Sequence, residues 1–226
     1  MINLREKLND LSTEKYKKFT EKLVFTKYEI LGVKLPDLRK IAKDFTEEQK
    51  TKYLKSSLEN KTFEEIMIYG FVLGYAKLTV DEFLSYLYTF LPFVDNWSVC
   101  DSCVASFKIV AKNREKILNV VEKLLLAEKP FYIRVGFIIL LDYFISDKYL
   151  NFIFEMLNSI KSDHYYVRMA KAWIISVCFV YFKNETLEFI KNNDLDDFTH
   201  NKAISKICDS FRVLDFDKAF VKSLKR

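Results

Sequence analysis

The chain has little of what turns and cradling loops are made from. Only 4 glycines and 3 prolines occur among its 226 residues, so tight hairpins and phosphate-binding glycine loops have few places to form. No window matches a Gly-rich nucleotide fingerprint, and no strand-like alternation of useful length appears. The two histidines, His164 and His200, stand alone beside turn-like residues and read as structural or solvent-facing. Cys100-x-x-Cys103 has no second pair of ligands at zinc spacing in Cys178, Cys208, His164 or His200, so no metal and no other cofactor is expected. A thioredoxin-like pair belongs in a βαβ context, which is missing. Buried helical thiols are the expectation.

Long apolar runs are missing too. The greasiest, Ile133 to Ile145, is interrupted by Arg134 and Asp142 and is too short to cross a bilayer. The segment Met1-Ile2-Asn3-Leu4-Arg5-Glu6-Lys7 is charged from the outset and lacks the apolar core of a signal peptide. With four cysteines and no export signal, a cytoplasmic protein with reduced thiols is expected, with no membrane partner.

What the chain does have is apolar bulk. It is 50% hydrophobic and 16% aromatic, ample for one large core or a stack of small ones. Thirty-six basic residues face 31 acidic ones, a formal net charge of +5. That balance permits an anionic partner, and any nucleic-acid footprint must come from clustering.

Helical periodicity starts at once. Leu4, Leu8 and Leu11, then Tyr16, Phe19, Leu23 and Val24, mark one or two amphipathic helices within residues 1–30. In Leu31–Lys43, Gly32 suits a helix end, Pro36 the first turn of the next helix, and Asp37 its dipole. Three later starts carry the capping-box pattern: Thr46 with Gln49, Thr62 with Glu65, and Thr79 with Glu82. Their spacings of 16 and 17 residues leave room for a helix and a short turn each. The fold class is all-α.

A weak internal repeat accompanies the helices. Phe131-Tyr132-Ile133-Arg134 matches Tyr165-Tyr166-Val167-Arg168 at an offset of 34, and Tyr69-Gly70-Phe71-Val72-Leu73 echoes Val135-Gly136-Phe137-Ile138-Ile139. Helix pairs recurring every few tens of residues signal an α-solenoid, whose concave face is formed by the second helix of each pair. No Pro/Ser/Gly-rich linker interrupts the chain, so one solenoid domain over residues 1–226 is expected, as a monomer.

The most suggestive stretch is Asp95-Asn96-Trp97-Ser98-Val99-Cys100-Asp101. Positions i and i+4 share a helix face, which sets the Trp97 indole beside the Asp101 carboxylate. A core-filling tryptophan with a helix-capping aspartate would give the same pattern. Arg134 follows Trp97 by 37 residues, and Trp173 follows Arg134 by 39, so the features recur about once per repeat.

Taken in order, Leu31–Lys43, the N-W-x-x-x-D at 96–101, the aromatic-x-x-Arg at 131–134, the helix taken to end in Trp173, and His200-Asn201-Lys202-Ala203-Ile204-Ser205-Lys206-Ile207 resemble the AlkD-type DNA glycosylases. These belong to the DNA alkylation repair family of HEAT-like repeat proteins, and the similarity covers nearly the whole chain. It implies a concave groove for double-stranded DNA in which N3- and N7-alkylated purines are excised. It also implies Asp101 as the catalytic carboxylate, Trp97 and Trp173 as its aromatic partners, and Arg134 as the arginine on the DNA backbone. Two departures are visible: Ser98-Val99-Cys100 differs from the commonest form of the motif, and Val135 follows Arg134 where the family often has a second polar residue.

The chemistry suits these residue types. A cationic alkylpurine leaves without protonation, so what helps is a carboxylate that stabilises the oxocarbenium-like sugar or orients water. Tryptophan faces attract cations, and an arginine can grip a phosphate bidentately. No lysine is singled out as a nucleophile, so a free base and an abasic site are the expected products. Lys34, Arg39, Lys40, Arg168, Lys171, Lys202, Lys206 and Arg212 are the candidate DNA contacts, each with an ordinary solvated helix face as its plainer reading. Two other functions fit a helical array: a non-catalytic relative that binds distorted or branched DNA, and a protein-interaction scaffold.

Overall fold

A computed structural model describes residues 4–226. Among them the secondary structure is helical throughout, with no strand. The helices are α1 (Leu4–Leu11), α2 (Glu14–Leu23), α3 (Leu35–Asp44), α4 (Glu47–Leu54), α5 (Phe63–Tyr75), α6 (Val80–Phe90), α7 (Trp97–Val104), α8 (Lys108–Lys112), α9 (Arg114–Leu125), α10 (Pro130–Tyr143), α11 (Asp147–Ser159), α12 (Tyr165–Tyr181), α13 (Lys183–Asn192), α14 (Asp197–Asp209) and α15 (Asp215–Lys222), with a 3-10 turn at Leu91–Phe93. The chain divides into two compact units, Met1–Lys116 and Ile117–Arg226.

In the first unit α3, α5 and α7 pack as a row, and α4 and α6 lie against α5. Every residue of α5 from Phe63 to Leu73 is buried, which is why its sequence reads as apolar all round. Two glycines let the row close up. A Cβ on Gly70 would stand 2.4 Å from the Cys103 sulfur, and one on Gly74 would stand 2.1 Å from Ser106 Oγ. All three capping boxes form as the sequence indicates, at Thr46, Thr62 and Thr79. The box at Thr62 does double duty, since the Glu65 carboxylate also pairs with Arg5 and, at 3.4 Å, with Lys61. Burial pushes this carboxyl upward, but the Thr62 N–H and the two cations outweigh it and hold it below the usual carboxylate range.

The second unit repeats the arrangement. Helices α10, α12 and α14 form a row, α13 packs on α12, and α15 on α14. The 34-residue offset falls at equivalent places, because Phe131–Arg134 and Tyr165–Arg168 open α10 and α12. Gly136 echoes Gly70 in function as well as in sequence: a Cβ there would lie 2.9 Å from the Leu125 side chain.

Three expectations change. Gly32 ends no helix; it sits in the 24–34 loop at φ +98°, where a Cβ would stand 2.6 Å from the Thr13 carbonyl oxygen. The helix carrying Trp173 does not stop there but runs on to Tyr181. The apolar stripe of α2 faces the core only in part: Val24 is buried, beside Thr20, whereas Phe19 and Leu23 are 54% and 49% exposed.

Candidate active site

Helix α7 carries two of the candidate residues, Trp97 and Asp101. Asn96 caps it: its Oδ1 accepts the Val99 N–H at 3.0 Å, and its Nδ2 donates to Asp95 at 2.8 Å. The Asp95 carboxylate then reaches back across the sequence. It accepts from the Thr26 hydroxyl and the Lys27 N–H, each at 2.9 Å. Trp97, in the first turn, donates its indole N–H to the Leu23 carbonyl at 3.1 Å. Residues 23–27 are therefore stitched to the start of α7 at three points.

The same loop is fixed at its far end by Glu64. This carboxylate is 1% exposed and accepts from three successive backbone N–H groups. They are Leu31 at 3.0 Å, Gly32 at 2.8 Å and Val33 at 3.3 Å. Such a run of N–H groups forms an anion nest, here filled by the protein itself.

Trp97 is half-buried and borders a cleft of about 180 Å³ with Tyr16, Phe19, Leu23, Leu38 and Met67. Asp101 is half-buried one turn further along the helix. Its charge helps raise the Cys103 thiol, though burial is the larger cause, while the nearby Arg39 guanidinium opposes both. Arg39 donates to the Ser102 carbonyl at 3.2 Å and lies 4.8 Å over the Phe71 ring. It ties α3 to α7 next to Asp101.

In the second unit Arg134 and Trp173 stand on the packed pair α10 and α12. Arg134 is 5% exposed; its guanidinium donates to the Tyr166 carbonyl and lies 5.8 Å over the Tyr166 ring. Trp173 is half-buried on α12, on the same helix face as Tyr166 two turns earlier. His164 joins this cluster, its ring 5.7 Å from Phe131 and 5.9 Å from Tyr166. Burial and the Arg134 charge lower its pKa from 6.5, so the imidazole is neutral at pH 7.

The structure thus carries Trp97 and Asp101 one turn apart on α7 in one unit, and Arg134 and Trp173 on the packed helices α10 and α12 in the other. The candidate basic contacts fall into three groups. Lys34 is exposed at the start of α3, Lys202 and Lys206 are half-exposed on α14, and Lys40 is exposed while paired with Asp44 at 2.9 Å. Arg168 and Arg212 are engaged locally. Arg168 bridges Asp163 at 2.8 Å and Asp196 at 3.7 Å, and Arg212 lies 4.6 Å over Tyr181. Lys171 and Arg39 point inward. Lys171 is 3% exposed, its ammonium donates to the Ile160 carbonyl at 2.8 Å, and burial lowers its pKa to about 8.

Several supports escape a reading of the sequence. Asn96 was findable, as an asparagine just before a helical run is a capping signal. Glu64, Arg39 and Tyr166 act through long-range contacts that leave no local signal. None of the four cysteines is in a disulfide; Cys100, Cys103 and Cys178 are buried, and burial raises Cys178 to about 12. Among the described residues no group of three or more His, Cys, Asp or Glu is placed to hold a metal, and no helix is long and apolar enough to cross a membrane.

The chain is thus all-helical among the described residues, with a half-buried indole one turn from a half-buried carboxylate on α7. The family described as DNA alkylation repair enzyme matches residues 4–207. The chain belongs to that family: its role is in the repair of alkylated DNA, and DNA is its substrate. No curated protein matches the chain.

Proposed function

We propose that this protein is a monofunctional DNA glycosylase of the AlkD type, built from HEAT-like repeats. In this reading it excises cationic N3- and N7-alkylated purines from duplex DNA by hydrolysing the N-glycosidic bond. The observation that supports this most is the start of α7. There Trp97 and Asp101 share one helix face in a chain whose family match runs from residue 4 to residue 207.

The positively charged base is already a good leaving group, so no proton needs to be delivered. As the bond lengthens, positive charge moves onto the sugar. The Asp101 carboxylate stabilises that charge and orients the water that takes the base's place. Trp97 and Trp173 offer π-faces to the cationic sugar and base. Arg134, buried against Tyr166, swings out of that packing on binding to hold a backbone phosphate. Water is consumed, and a free base and an abasic site are released. The exposed and half-exposed Lys34, Lys40, Lys202, Lys206 and Arg212 supply the salt-sensitive part of binding. The protein acts as a monomer.

The test is single-turnover release of 7-methylguanine and 3-methyladenine from methylated duplex DNA, comparing the wild type with Asp101→Asn. Release by the wild type, reduced about 100-fold in the variant, is the expected result. Salt-sensitive binding to duplex or branched DNA without any release would instead make the protein a non-catalytic binder.

A further inference from the structure

Three large apolar side chains stand in solvent on α2 and just past it, two of them lining the cleft that Trp97 borders. Phe19 and Leu23 on α2 are 54% and 49% exposed, and Phe25, just past the helix, is 87% exposed. Together with Tyr16, the helical pair falls at i, i+3 and i+7, on one face of α2. The inward side is already closed by Thr20 and Val24, both buried. The exposed strip is therefore not an unfinished core.

A second strip runs alongside it. Lys15, Lys18 and Lys22 keep the same spacing one residue earlier, and Lys27 is exposed in the loop beyond the helix. Lys18 pairs with Glu14 at 3.3 Å with both side chains about two-thirds exposed, an arrangement that neutralises little. Residues 14–28 hold five lysines against two glutamates. The apolar strip leads into the candidate site, because Tyr16, Phe19 and Leu23 line the cleft that Trp97 borders. The Leu23 carbonyl also takes the indole N–H.

We propose that this surface engages duplex DNA: Phe19, Leu23 and Phe25 wedge against unstacked bases, while Lys15, Lys18 and Lys22 hold adjacent phosphates. The inference rests on DNA as the substrate and deepens the glycosylase reading, but it does not need base release. Apolar wedges flanked by cations are how proteins open a base step from the groove side, and aromatic faces accept any base. A basic amphipathic helix also suits a membrane surface. Continuity with Trp97 in a DNA repair protein favours the nucleic acid.

The experiment uses the full chain and a duplex in which 2-aminopurine lies next to a tetrahydrofuran abasic analogue. Unstacking raises the probe's emission. The wild type is expected to raise it, and Phe19→Ser/Phe25→Ser to abolish the rise and weaken binding about tenfold. Lys18→Gln/Lys22→Gln should keep the rise at saturation and lower the slope of log affinity against log salt by about 2. All four side chains are exposed, so unchanged thermal melts certify the folds. The proposal is overturned if the wild type leaves emission unchanged, or if the serine variant binds the duplex as tightly. It is equally overturned if the serine substitutions abolish binding to phosphatidylglycerol vesicles and leave DNA binding intact. Methylpurine release, run on the same proteins, separates the two ideas. Unstacking without release refutes the glycosylase reading alone, and release without unstacking refutes this one alone.

Discussion

Glu64 shows how much one buried side chain can organise. Its carboxylate gathers the N–H groups of Leu31, Gly32 and Val33, and so sets the path of the loop whose other end receives the Trp97 indole. Glu64→Leu leaves three donors without an acceptor and should cost about 3 kcal/mol, measured by urea unfolding. Lys171 carries the opposite kind of signature. Its folded-state pKa of about 8 lies below its ordinary 10.5, so between those values the unfolded chain binds more protons than the folded one. Its contribution to stability therefore rises with pH across that window and is flat below it. Relative to Lys171→Met, the wild type should gain stability from pH 8 to pH 10.5; equal slopes for the two proteins would discard the assignment. Neither role is written locally. A glutamate in a first helical turn and a lysine before Trp173 look like surface residues until tertiary packing buries them.

At the scale of elements the sequence is far more legible. Capping boxes form at Thr46, Thr62 and Thr79 because they need only residues three apart, and Pro36 opens α3 for the same local reason. The face a helix turns toward the core is a different matter. Tyr16, Phe19 and Leu23 have the spacing of a core stripe, yet periodicity alone cannot distinguish a stripe that meets the interior from one that meets solvent. Gly32 misled in the same way, since a glycine suited to a helix end is equally suited to any left-handed loop position. Close packing inside the α3–α5–α7 row gives a sharper prediction. Gly70→Ala would press a methyl group onto Cys103 and should destabilise the protein by about 1–3 kcal/mol in thermal or denaturant melts. The Thr62 box adds an acid limit. The Glu65 pKa is held below its ordinary 4.5, so its contribution is present above that value and lost as pH falls through the folded pKa. Glu65→Gln should flatten the acid side of the stability profile.

For the whole molecule, the modest net charge of +5 gave little indication of nucleic acid. The all-α class and the order of the N-W-x-x-x-D and later motifs were visible, because helical periodicity and order along the chain survive without coordinates. Which cations stay in solvent was not, as Lys171 and Arg39 show. Binding to duplex DNA should fall linearly with salt on a double-logarithmic plot, and Lys34→Gln or Lys202→Gln should each reduce the slope by about 0.9. An unchanged slope would remove that lysine from the interface.

The two tryptophans are divided evenly, Trp97 in the first unit and Trp173 in the second. Each unit therefore contains its own optical reporter. Emission from Trp173 in a Trp97→Phe protein follows one half of the chain, and emission from Trp97 in Trp173→Phe follows the other. Coincident denaturation curves would mean that the halves melt as one cooperative block, and separated curves that each has a stability of its own.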